Sequence, residues 1–409
     1  MEEVRSSQLD RTFAREINEA IPSPAARDKM WNCLSCGMCT GGCVYSDVIG
    51  LDPRKFMRKA LLGLKEDLIN DPMLWYCTMC ARCTVDCPMD VPLYTLVRTV
   101  RGHFANEKCP SFLQGICDTM ERTGNQMGVT GEDYVDTVKW MEGELRDELG
   151  DPTVEFPIDR HGTDFAYVID PREVKYYPQE LRITGKLFHA AGADYTYALK
   201  AWDATNWALF NGRDDQAGLH ERRLAEEILR LGTPTMVVTE CGHAMFCQME
   251  MAKWYVSDPL PYVVKSVLSL YEEWIRAGRL RFRKGITEPV TLHDPCNVTR
   301  KLSITGPQRF LLNLVCQDFR EMEPHGKYNI CCGGGGGTLG MPEYTNERLV
   351  RGRLKADQIR ATGSTIVAVP CHNCFDQLND INKYYQLGVK VVHISHLLEQ
   401  CLVWPERAN

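Results

Sequence analysis

Two runs of cysteine set the terms for this chain. The first reads Cys33-x2-Cys36-x2-Cys39-x3-Cys43 and the second Cys77-x2-Cys80-x2-Cys83-x3-Cys87-Pro88. Three thiolates at that spacing wrap one corner of an iron–sulfur cube, and in two-cluster proteins of this kind the fourth crosses to the other cube. The expected ligand sets are therefore Cys33, Cys36, Cys39 and Cys87 for one cubane [4Fe–4S] cluster, and Cys77, Cys80, Cys83 and Cys43 for the other. Zinc also binds C-x2-C pairs. A structural zinc site would leave the third evenly spaced cysteine of each motif redundant.

The rest of the composition narrows the class. The chain has 409 residues, 19 cysteines and a formal net charge of -7. Nucleic-acid binding needs clustered Lys and Arg, so no nucleic acid is expected as a partner. No apolar run follows a basic start, so no export signal is read, and the cysteines are expected to ligate metal in a reducing cytoplasm. No stretch of about 18 apolar residues is found. The chain is expected to have no transmembrane segment of its own, and could still sit on a membrane-bound partner.

About 33 residues separate the two motifs, which favours a helical ferredoxin domain over a compact one. Residues 1–30 read as a polar N-terminal arm with a short helix near Leu9–Ala20, 31–107 as the ferredoxin domain, and 108–160 as a connecting segment with one helix near 132–148. Within the ferredoxin domain, helices are expected from Pro53 to about Asn70 and over 92–107. Beyond 160, short β-branched runs (Met236–Thr239, Val290–Leu292, Thr365–Val369, Val389–Val392) alternate with helical stretches at 218–231, 262–277, 306–315 and 344–361. That alternation predicts α/β units on a mostly parallel sheet. Ligands gather beyond the carboxyl ends of such strands, where several of these runs meet a cysteine.

A second constellation lies there: Cys296, then Cys331-Cys332, then Cys371-x2-Cys374. Five cysteines exceed what one zinc or one cubane can use. The vicinal pair is a poor disulfide, because adjacent Cα atoms are about 3.8 Å apart. A thiolate bridging two irons accounts for the fifth. Gly333-Gly334-Gly335-Gly336-Gly337 follows at once and reads either as a flexible linker or as unhindered N–H groups aimed at an anionic cluster.

These residues carry a resemblance. His293-Asp294-Pro295-Cys296, Cys331-Cys332-Gly333 and Pro370-Cys371-His372-Asn373-Cys374 resemble the CCG cysteine-rich domain of heterodisulfide reductase catalytic subunits. In that family the five cysteines hold a noncubane [4Fe–4S] cluster that cleaves disulfides, and chains of this length join a ferredoxin domain to two CCG domains. The resemblance implies an α+β multidomain fold: the helical two-cluster domain, a degenerate α/β CCG domain at 161–285, and a CCG domain with the noncubane cluster at 286–409.

The first repeat is degenerate. Ile169-Asp170-Pro171-Arg172 parallels Leu292-His293-Asp294-Pro295-Cys296 with Arg172 where the cysteine belongs, Asn206-Trp207 stands at the pair, and Glu240-Cys241-Gly242-His243 keeps one cysteine. One thiolate cannot hold such a cluster. Together with Asp203–Trp207, this makes the chain similar to the DsrK type, the heterodisulfide-reductase-like subunit of the membrane complex linked to dissimilatory sulfite reductase.

Cys241 reads either as a thiol relay beside the active cluster or as an inert buried cysteine. Cys109, Cys117, Cys247, Cys316 and Cys401 lack partners at ligand spacing and read as packing. His293 and His372 are expected to hydrogen-bond cluster sulfurs, with Gly333 and Gly334 beside them. His243 reads either so or as a proton donor to a leaving thiolate. His325, His393 and His396 read as structural.

The resemblance implies electrons from a quinol-linked cytochrome b membrane subunit, and a disulfide or trisulfide on a small carrier protein (DsrC-like) as substrate, with the chain peripheral on the cytoplasmic face of the cell membrane. Two other classes stay open: an electron-relay subunit similar to the iron–sulfur partner of glycolate oxidase, and a zinc-bearing scaffold.

Overall fold

The computed structural model describes residues 9–404. In the N-terminal half, local signals place the helices. Asp52 accepts from the Lys55 N–H at 3.0 Å, Pro53 occupies the first turn, and Gly63 ends helix Pro53–Leu62. The helix expected to reach Asn70 thus stops at Gly63, and a short one restarts at Lys65–Ile69.

Residues 11–30 are not a free arm. Helix Arg11–Glu19, capped by Asp10, buries Phe13, Ala14 and Ile17, and Phe13 meets Phe104 edge-on with ring centroids 5.0 Å apart. The polarity that suggested an arm belongs to the outer face of an amphipathic helix. The segment expected to be a connector holds two helices, Ser111–Thr123 and Gly131–Leu149. The second packs on helix Gln179–Ala190 of the next unit.

Two four-stranded parallel sheets follow. The first is built from β1 (Phe165–Val168), β2 (Tyr195–Tyr197), β3 (Thr235–Val238) and β4 (Val263–Ser266), in the order β2-β1-β3-β4. Between them and the second sheet lies β5 (Arg281–Phe282). The second sheet comprises β6 (Val290–Leu292), β7 (Phe319–Arg320), β8 (Ile366–Ala368) and β9 (Lys390–Val392), in the order β7-β6-β8-β9. The topologies are the same, first strand paired with second and third, third with fourth. Registers agree too: Val168 faces Val238 in the first sheet, and Leu292 faces Ala368 in the second. The last described element, β10 (Leu402–Val403), is antiparallel to β5.

The β-branched runs predict β3, β6, β8 and β9, but Val263–Ser266 was expected to be helical. The structure starts that helix at Val267, where the Ser266 hydroxyl accepts from the Ser269 N–H at 3.1 Å. β1 and β2 give no alternation to detect, since they are buried on both faces.

One apolar cluster runs through both sheets and fuses the two halves. A second unites the ferredoxin domain with Trp207, Phe210 and Phe246 of the first half, and with Cys331 and Met341 of the second half. Both cores converge on the carboxyl ends of the strands. None of the helices among the described residues is long and apolar enough to cross a membrane.

Candidate iron–sulfur centres

The two ferredoxin motifs follow the same backbone path. In each, the second and fourth residues after the first cysteine take left-handed conformations: Ser35 (φ 54°) and Gly37 (φ 89°), then Met79 (φ 52°) and Ala81 (φ 61°). That turn aims the Ser35 N–H at the Cys33 sulfur, 3.4 Å away, and the Met79 N–H at the Cys77 sulfur, 3.3 Å away. Positive φ costs a non-glycine residue about 1 kcal/mol or more, so the shape is imposed. Backbone N–H groups turned toward cysteine sulfur are what an anionic cluster requires.

Cys33, Cys36, Cys39, Cys83 and Cys87 all line one cavity. The far cysteine of the second motif thus stands beside three of the first. Cys83 is buried, which pushes its thiol well up, and charge on neighbouring Cys77 and Cys43 pushes it further. The residues present therefore fit 4Fe–4S ligation, with cysteines of both motifs drawn to one cavity.

Four members of the C-terminal constellation line a second cavity: Cys296, Cys332, Cys371 and Cys374. The sulfurs of Cys332 and Cys374 are 3.4 Å apart. Cys296 comes from the turn after β6, and Cys371 and Cys374 from the turn after β8 and the helix it opens. Cys331 faces the other way, toward the second ferredoxin motif. Hydrogen bonds from Cys296, Cys332 and Cys80 hold its thiol well below the ordinary range. Cys80, an expected cubane ligand, therefore touches the five-cysteine site. A buried pocket walled by four cysteines, with the fifth joining it to the second motif, fits an anionic metal–sulfur group.

The glycine run is not a loose linker. Gly333 donates its N–H toward the Cys331 sulfur at 3.4 Å, as unhindered amides near a cluster should. Close packing is a second reason for it. A Cβ on Gly336, which has φ +66°, would lie 2.1 Å from the Cys77 carbonyl oxygen, and one on Gly335 would lie 2.6 Å from that of Thr78. The loop lies directly on the backbone of the second motif.

Two buried arginines, which nothing in the sequence singles out, secure that contact. Arg101 donates to the carbonyls of Leu74 (2.6 Å), Phe210 (2.8 Å), Gly336 (2.7 Å) and Cys77 (3.1 Å). Arg351 donates to Tyr76 (2.7 Å) and Gly333 (2.5 Å). A guanidinium carries five donors in a fixed fork, which suits it to pinning loops whose carbonyls have no ladder partners.

In the first half, Arg172 fills the place of the missing cysteine. Its guanidinium pairs with Asp170 at 2.7 Å, reaches across to Asp376 of the second half at 2.8 Å, and donates to Asn373 at 2.9 Å. Cys241 is buried beside Cys371. Hydrogen bonds from Cys241 and Cys374, and from the backbone N–H groups of Cys374 and His243, hold Cys371 well below the usual thiol range against the opposing effect of burial.

The expected histidines divide. His293 stands with Cys332 and Cys374, all three ligand atoms within 4.8 Å of one another, and His372 stands instead with Asp170 and Cys241. The ring of His243 turns away from the cysteines. Its Nε2 meets the Asn206 carbonyl at 3.0 Å, its face lies 4.6 Å from Phe210, and burial lowers its pKa to about 4. It is neutral at pH 7, and its backbone N–H faces Cys371. Lys301, which carries no motif in the sequence, also lines the five-cysteine cavity.

Comparison with known proteins agrees with this organisation. Residues 32–92 match a 4Fe-4S dicluster domain, and residues 290–379 match the CCG family, described as a cysteine-rich domain. The chain is 24% identical to a probable iron–sulfur-binding oxidoreductase, FadF, of Bacillus subtilis, over 82% of the chain and 48% of that protein. It is 34% identical over 102 residues to one polypeptide of the H(2):CoB-CoM heterodisulfide,ferredoxin reductase of Methanothermobacter thermautotrophicus, covering 25% of the chain and 52% of that polypeptide. It is 24% identical to an Hdr-like menaquinol oxidoreductase iron–sulfur subunit of Archaeoglobus profundus, over 88% of the chain and 77% of that protein. The chain spans about half the length of the first two relatives. The chain joins a 4Fe-4S dicluster domain to a cysteine-rich CCG domain, and it is similar to iron–sulfur oxidoreductases that include heterodisulfide-reductase-like subunits.

Proposed function

We propose that the chain is the catalytic iron–sulfur component of a respiratory membrane complex, passing electrons through two cubane clusters to a noncubane [4Fe–4S] site that reduces or forms a disulfide or trisulfide. The observation that carries this reading is the contact of the five-cysteine group with the second ferredoxin motif: the Cys331 sulfur lies 3.7 Å from the Thr78 hydroxyl, and Thr78 and Met79 line the same cavity as Cys296. A conduit that ended at the second cubane would have no use for a sulfur-lined cavity touching it. In this reading Cys33, Cys36, Cys39 and Cys87 hold the first cubane, Cys77, Cys80, Cys83 and Cys43 the second, and Cys296, Cys331, Cys332, Cys371 and Cys374 the noncubane group.

Cleaving a disulfide takes two electrons, which cubanes deliver singly. The noncubane group, when bound, supplies a site that retains a half-cleaved sulfur between the two deliveries. This chain's residues do the rest. Met79, Phe210 and the glycine loop wall the cavity against water, and His293 stands within reach of the Cys332 and Cys374 sulfurs. The menaquinol oxidoreductases among the relatives motivate a menaquinol-linked, cytochrome-bearing partner, and a small disulfide carrier of the DsrC kind is the proposed substrate, with the chain docked at the cytoplasmic membrane face.

The test is Cys331→Ser in the purified complex. Reduction of a small disulfide should disappear while both cubane signals persist in electron paramagnetic resonance. Undiminished turnover would move the chain to a relay that serves a flavin oxidase, without disulfide chemistry.

A further inference from the structure

Among the described residues, the wall of the C-terminal cavity, lined by Cys296, Cys332, Cys371 and Cys374, carries a single charged side chain. Besides cysteines it presents Thr78, Met79, Phe210, Asn297 and Asn373, all neutral, and then Lys301. The Lys301 ammonium lies 4.2 Å from the ring centroid of Phe246 and 4.5 Å from that of Tyr94. These faces hold a cation in place without cancelling its charge. Among the described residues Lys301 forms no ion pair, and the charged groups that act on it are cysteines rather than carboxylates. Lys301 is half-buried, and burial draws its pKa below the ordinary lysine value; the groups that oppose this and favour its charge are sulfurs, Cys296 first, then Cys247, Cys80 and Cys77.

An unpaired cation is costly to bury. Other buried or half-buried basic groups here have oxygen partners: Arg98 pairs with Asp214, Arg172 with Asp170 and Asp376, and Arg309 with Asp294 and Glu321. Lys301 has none, and it faces a cavity already lined with thiols. A cation so placed is matched to negative sulfur.

We infer that Lys301 is the binding residue for the anionic sulfur of the substrate, and that it sets a preference for thiols and disulfides carrying negative charge next to the sulfur. The inference rests on the disulfide chemistry proposed above. Cleavage of R–S–S–R′ breaks the S–S bond and takes up two electrons from the quinol-linked donor. It leaves RS⁻ and R′S⁻, which two solvent protons convert to thiols. Either thiolate would be repelled by the surrounding cysteine sulfurs. The Lys301 ammonium offsets that repulsion until the proton arrives.

The test measures thiol binding, not turnover. Mercaptoacetate and cysteamine, one with an anionic and one with a cationic tail, are titrated separately into the oxidised full-length protein with its clusters, and the change in its C-terminal paramagnetic signal is followed. Wild type should bind mercaptoacetate about tenfold or more tighter than cysteamine. Lys301→Met should bring the ratio near one, and Lys301→Arg should restore most of it. A structural lysine would change both affinities together. Equal affinities in the wild type, or a preference that survives Lys301→Met, overturn the inference. The wild-type comparison stands even if the variant loses iron. Anion preference without disulfide turnover would sink the proposed function alone, and turnover without that preference would sink this inference alone.

Discussion

The guanidinium of Arg101 and the carbonyl of Gly336 meet at 2.7 Å in the interior, 235 residues apart in sequence. The same side chain holds the Cys77 carbonyl at 3.1 Å, so one arginine ties the glycine loop of the CCG domain to the second ferredoxin motif. Arg101→Met should cost at least about 3 kcal/mol, since several buried carbonyls lose their donor together. Arg101→Lys should recover only part, because an ammonium cannot span the same fork. Denaturant titration gives the stability. Iron content should fall in step if the clamp also holds the cluster loops.

Gly336→Ala tests the close approach itself. Its Cβ would enter the Cys77 carbonyl in a backbone region that disfavours side chains, and overpacking of this kind costs about 1–3 kcal/mol. Gly143 is the control. It lies inside helix Gly131–Leu149 with nothing within 4 Å of an added Cβ, so Gly143→Ala should stabilise by about 0.5–1 kcal/mol. Equal melting temperatures for the two variants would refute the packing account.

Arg172→Met removes the cation that bridges Asp170 and Asp376. Asp170 is fully buried, and its carboxyl is held down to about 2 against burial by Arg172. Stranding a buried carboxylate costs about 3–5 kcal/mol. Asp170→Asn in the same chain should recover part of the loss, as a double-mutant cycle would record. Additive effects would mean that the pair does not act as a unit.

Stability should also depend on pH through Glu221. Burial raises this carboxyl from 4.5 to about 8, partly opposed by its hydrogen bond with Asn206. The folded chain therefore keeps a proton that the unfolded chain releases first. This contribution is complete below about pH 4.5 and is lost as pH climbs to about 8. Apparent melting temperature should decline across that window, to which the buried Asp203 and Glu240 carboxyls, raised to about 8 and about 7, also contribute, and Glu221→Gln should make the decline shallower. Parallel profiles for the two proteins would remove Glu221 as the cause.

The sequence was most readable where chemistry sets spacing. Eight cysteines at ferredoxin intervals and five at CCG intervals stand out because ligand geometry tolerates little drift. The lapsed repeat could also be traced, since Arg172 and Cys241 keep their register. Long-range packing was hidden. Nothing local marks Arg101, Arg351 or Lys301 as special, because their partners come from other domains. The helix Arg11–Glu19 resembles an arm in sequence because only Phe13, Ala14 and Ile17 face inward. The ring of His243 adjoins a cysteine in sequence and yet points at Asn206, which only the turn after β3 decides.

The Arg172 bridge has a consequence for how the two halves share their load. A guanidinium held by Asp170 on one side and Asp376 on the other makes the first half a buttress: it shoulders Phe210, Cys241 and the His243 amide against the cysteine-lined cavity of the second. Any change in the buttress would be judged by its fit to that neighbour.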